Sequence, residues 1–113
     1  MKLRIDPDKI SFRIDLSELE QLLDKGEIHG QTPLPKDSLS YTLIRLPPGS
    51  DARFQAQDNS YILSLPQDII EAHKATLPSL KGIITLFPCQ NGDSLQVALE
   101  VNLKKKLKHS LER

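Results

Sequence analysis

Three histidines, one cysteine and two strand arginines are the side chains whose types invite chemistry in this chain of 113 residues. His29, His73, His109 and Cys89 lack the close paired spacing that marks zinc sites. His29, His73 and Cys89 could still converge if the two halves of the chain pack together. The plainer account is surface or helix-face histidines and a small buried thiol. No metal and no cofactor is expected.

The carboxylates point to architecture. Asp6, Asp8, Asp37, Asp58 and Asp93 fall in turns or at strand starts, where an aspartate bonds its own backbone. A general acid and base would need two carboxylates held close in one cleft, and no spacing here requires that. The chain has no glycine-rich phosphate loop, no nucleophile elbow and no HExxH, so familiar nucleotide-binding and hydrolytic enzymes are set aside.

Arg4 and Arg13 carry more promise. If residues 2–5 and 11–14 pair as a hairpin, both point away from the core beside Lys2, a strip that could hold a phosphate or a nucleic-acid backbone. Asp15 lies along the same face, and ordinary solvated strand charges are the plainer account of the pattern. Three Phe, two Tyr and no Trp leave few platforms for stacking unpaired bases.

The strongest charge signal is at the end. Residues 102–113 hold five Lys or Arg against one Glu, a net +4, which leaves −4 on the rest of a chain whose total is zero. Leu103, Leu107 and Leu111 recur every fourth residue among Lys104, Lys105, Lys106 and Lys108, the pattern of a basic amphipathic helix. Such a tail could dock on the acidic body, bind an anionic partner or pair with a second copy; a frayed, solvated terminus is the plain alternative.

Elements must position these groups. KLRI alternates Leu3 and Ile5 with Lys2 and Arg4, the DPDK segment turns the chain, and Ile10, Phe12, Ile14 and Leu16 continue the alternation. SELE reads as a capping box from Ser17 to Glu20, opening a helix over about residues 18–25 that Gly26 ends. EIHGQTPLP is a weak strand interrupted by Pro33 and Pro35, and LSYTLIRL is a stronger one.

The order then recurs. ARFQAQ, the turn DNS and YILSL form a second hairpin; Pro66 opens a helix through DIIEAHK; GIITLF, the Asn-Gly turn and SLQVALEV finish the set. Ile10, Phe12 and Ile14 map onto Tyr61, Leu63 and Leu65, 51 residues on, whereas DSLSYTL at Asp37 maps onto DSLQVAL at Asp93, 56 residues on. The surplus falls between helix and third strand, where an insertion such as ATLPSLK costs little. The spacing predicts a duplicated strand–strand–helix–strand–strand unit in one α+β domain, residues 1–102, with pseudo-repeats 1–49 and 52–102 and a tail 103–113. Its mainly antiparallel strands are expected to form a curved sheet or small barrel with two short helices.

MKLRI, ISFRI before SELEQLLDKG, the LSY strand, YILSLP and LEVNL together resemble a family of small bacterial proteins known only as a domain of unknown function. The resemblance covers most of residues 1–103, leaving out Cys89 and the tail from Lys104. It implies a bacterial source and a shared fold, and nothing about catalysis.

A lone cysteine and the absence of a long apolar run suit a cytoplasmic protein with no membrane span. Two functions follow. One is a non-catalytic binding module whose partner is a protein, a second copy or, through Lys104, Lys105, Lys106 and Lys108, a nucleic acid. The other is a small barrel enzyme or ligand-binding protein, with Arg4, Arg13, His29 and His73 around an anionic small molecule between the repeats.

Overall fold

The computed structural model describes residues 1–79 and 81–103. Alternation produces the first hairpin, β1 (Lys2–Asp6) against β2 (Lys9–Ile14), with Leu3 opposite Phe12 and Arg4 opposite Ser11. Ile10, Phe12 and Ile14 are buried, so Lys9, Ser11 and Arg13 project from the other face.

The next element, α1 (Leu16–Lys25), starts two residues earlier than expected. Asp15, not Ser17, is the N-cap: its Oδ1 accepts from Glu18 N at 2.8 Å, and Glu18 Oε1 accepts from Asp15 N at 3.1 Å. The Met1 ammonium also binds Glu18, at 2.6 Å. The strand decides the start, because Ile14 is still paired to Val101 and Asp15 is the first residue free to turn. Asp15 therefore belongs to the helix cap and not to the arginine strip. Gly26 ends the helix in the left-handed region at φ 92°, its N–H donating to Leu22 O.

Strands β3 (Glu27–Pro33) and β4 (Ser38–Leu46) follow as a hairpin, and β3 tolerates Pro33 because it sits at the end of an edge strand. Next come β5 (Arg53–Gln57) and β6 (Ser60–Pro66), joined by Asp58 and Asn59 at φ 52° and 61°, the tight hairpin turn expected there. Helix α2 (Gln67–Ala75) has Pro66 as its N-cap, without a side-chain cap bond. The last strands are β7 (Ile83–Pro88) and β8 (Ser94–Val101).

These elements make an α+β protein of two four-stranded mixed sheets, not a closed barrel. One sheet, A, runs β1-β2-β8-β7 and the other, B, runs β3-β4-β6-β5. Each has two antiparallel outer pairs flanking one central parallel pair, β2 with β8 or β4 with β6. Closure would need bonds between edges of different sheets, and the described residues form none.

Each sheet combines a hairpin from the first half of the chain with one from the second. Exchanging β1, β2, β3 and β4 for β5, β6, β7 and β8 turns the order of sheet A into that of sheet B. Register is kept as well: Ile10 opposite Val97 corresponds to Tyr61 opposite Tyr41, and Phe12 opposite Leu99 to Leu63 opposite Leu43.

The apolar faces meet in one core. Phe12, Val97 and Leu99 come from sheet A, Leu43, Leu63 and Leu65 from sheet B, and Leu19, Leu22 and Ile70 from the helices. Each fully buried aliphatic side chain is worth about 2 kcal/mol over exposure. Phe54 of β5 spans the gap, 6.4 Å from Phe12 and 6.0 Å from Phe87 between ring centroids. The space between the halves, where an anionic ligand was expected, is filled by these side chains.

Candidate functional site

The expected ligand residues are distributed over three surfaces. Arg4 and Arg13 lie on the outer face of sheet A; His29 lies on the outer face of sheet B, its Nδ1 3.1 Å from Thr42 Oγ1 and its Nε2 3.4 Å from Glu27 Oε1. His73 lies on α2, half-buried, and burial holds its pKa below the usual imidazole value. Arg4 pairs with Asp6 at 3.2 Å. Cys89 is exposed in the turn before β8, so the buried thiol expected from the sequence is corrected: a polar turn places it outside the core. Among the described residues no three His, Cys, Asp or Glu side chains gather as a metal set. Lys104, Lys105, Lys106 and Lys108 lie outside the described residues.

Arg13 is different from the other three. It stands opposite Glu100 of β8, its Nε 2.8 Å from Glu100 Oε1, while Lys9 Nζ reaches Oε2 of the same carboxylate at 3.4 Å. That contact is made through Nε, and the Arg13 side chain stays 44% exposed, so the guanidinium is accessible to a further acceptor.

Beyond this pair the surface opens into a cleft of about 540 Å³. One wall is the end of β8, with Glu100, Val101, Asn102 and Leu103; the other is the segment Pro78, Ser79, Lys81 and Gly82. Gly82 lets that segment lie against the strand, since a Cβ there would come within 2.3 Å of Leu99 O. Ser79 shapes the loop, its hydroxyl accepting from Lys81 N at 3.2 Å and donating to Lys81 O at 2.8 Å.

The corresponding place in the first half is closed. There α1 passes to β3 through Gly26 alone, and Arg45, the counterpart of Val101, donates from Nη1 to Leu23 O at the helix end. In the second half, residues 76–82 separate α2 from β7. The outer faces differ too. The central strands of sheet A meet at Ser11 and Ala98, small and buried, where sheet B has Ile62 and Thr42.

Lys9 and Arg13 thus share one carboxylate, Glu100, and Arg13, Glu100 and Lys81 line a cleft that also carries Pro78, Val101 and Leu103. Such a set suits an anionic group with an apolar portion. Lys81, Ser79, Glu100 and Asn102 were not singled out in the sequence. For Ser79 and Lys81 the signal was present as the extra residues between the second helix and its following strand.

The fold is that of an α+β protein built from two mixed sheets with exchanged hairpins. The chain belongs to the family of unknown function DUF7009, whose family model matches residues 1–108. The match reaches past Lys104 and includes Cys89, correcting the expectation that both stand apart from the family. No curated protein matches the chain. No helix among the described residues is long and apolar enough to cross a membrane.

Proposed function

We propose that this protein is a non-catalytic recognition module that binds an anionic group at the Arg13–Lys81 cleft. The observation that carries the reading is the asymmetry between corresponding places: the first half is closed by Arg45, whereas the second is opened by residues 76–82 and lined with cations. Binding sites concentrate in loops set on a rigid frame, and this loop has no counterpart. A duplication of one strand–strand–helix–strand–strand unit, supported by the matched registers, accounts for the frame. The basic stretch Lys104, Lys105, Lys106 and Lys108 follows Leu103 in sequence and is included in the proposal as a second contact for the same anionic partner, a protein or a nucleic acid. The small-molecule alternative rests on the same cleft and no longer on the interior.

Inorganic phosphate, citrate and an acidic peptide, titrated into the full chain by NMR at low salt, test the proposal. Shifts should centre on Arg13, Lys81 and Asn102 and shrink as salt rises. Arg13→Gln and Lys81→Gln should each weaken binding roughly tenfold, about 1.4 kcal/mol. Arg4→Gln, on the same face but tied to Asp6, should leave it unchanged. Equal losses from all three, or no shifts with any anion, would sink the proposal. Truncation after Leu103 should weaken the peptide more than phosphate if the tail contributes.

A further inference from the structure

Among the described residues the two sheets leave four edges, β1, β3, β5 and β7, and three of them are guarded. Charges stand on β1 at Lys2, Arg4 and Asp6; β3 carries Glu27 and the polar His29; β5 carries Arg53, with Gln55 and Gln57 on the same face. Edges need such protection because their free N–H and C=O groups invite another strand. Only β7, Ile83–Pro88, has no charged residue, and it shows the solvent Ile84 at 45% and Leu86 at 64% relative exposure, both on the outer face.

The strand is also self-complementary. Read in antiparallel register about Thr85, Ile84 falls opposite Leu86 of the mate and Ile83 opposite Phe87 of the mate, with threonine against threonine at the centre. Both outer apolar side chains thereby gain an apolar cross-strand partner on the same face. No like charges meet across such an edge, whereas at β1 lysine, arginine and aspartate would line the join. A twofold interface of this kind is isologous and stops at two copies, which leaves the opposite edge of each sheet to its own charges.

We infer that β7 is the interface with a second copy of this chain, the two A sheets continuing as one eight-stranded sheet through antiparallel β7 pairing.

Sedimentation equilibrium on the full chain, with circular dichroism as the check on folding, tests the inference. The parent chain should be a dimer. Leu86→Glu and Ile84→Lys should each give a folded monomer, since both side chains are exposed in the single copy and their replacement disturbs no core. The double variant Ile84→Lys/Leu86→Glu should dimerise again, now sensitive to salt, because the introduced ammonium faces the introduced carboxylate of the mate. A parent chain that stays monomeric up to about 1 mM, the weak end of ordinary association, overturns the inference. So does a dimer that either single variant leaves intact, and dissociation without rescue overturns the Thr85-centred register.

Discussion

Asp15 and Ser17 show how one residue's role is decided by a distant partner. D-L-S-E and S-E-L-E both satisfy the capping-box spacing, so local sequence offers two starts for the helix. Pairing of Ile14 with Val101 keeps the chain extended up to Asp15 and selects the first. Asp15→Ala should therefore cost about 1 kcal/mol in urea denaturation, while Ser17→Ala should change stability by only a few tenths. Equal effects of the two would mean that the cap slides between them. The same dependence on remote contacts hid most of the cleft: Arg13 was legible as an outward-facing strand arginine, but nothing near it in sequence names Glu100 or Lys81 as its neighbours.

At the scale of elements, the β1–β2 and β5–β6 hairpins, the helices and the β8 strand follow from alternation, turn residues and breakers, which are local. Helix equivalence shows what locality leaves out. Leu19 and Ile70 occupy matched buried positions, yet the match to buried Leu22 is His73. Burial favours the neutral ring in the folded chain, so the unfolded chain binds the proton more readily as pH falls below about 6.5. Stability should be full above that value and decline on acidification towards the lower folded pKa. His73→Leu should flatten this decline in melting temperature between about pH 7 and 5, with Asp68, Glu71 and Lys74 on the same helix unchanged. An unaltered acid slope would assign the loss to other groups. The loop after α2 makes a separate demand: Gly82→Ala forces the segment away from Leu99 O and should cost about 1–3 kcal/mol, while also weakening anion binding, because the same segment forms a wall of the cleft.

For the whole molecule, the decisive fact is that neither sheet belongs to one half. Sheet A needs β8 from the second half to pair with β2, and sheet B needs β6 to pair with β4, so the two central parallel pairs both join the halves. Periodicity describes the face a strand buries but carries no record of its partner, which is why a curved sheet or barrel was as reasonable an expectation as two sheets. The exchange has a consequence for autonomy. A half on its own keeps two hairpins and one helix with the core-facing side chains of both uncovered, and isolated hairpins are marginal in water. Chains ending at Ser50 and beginning at Asp51, a cut in the loop between β4 and β5, should each be unfolded alone by circular dichroism. Mixed in equal amounts they should regain the spectrum of the intact chain, at a concentration-dependent midpoint, because the covalent link supplies effective concentration and no contact of its own. A stable fold from either piece alone would show that the hairpins pair within one half, and the two exchanged sheets would have to be abandoned.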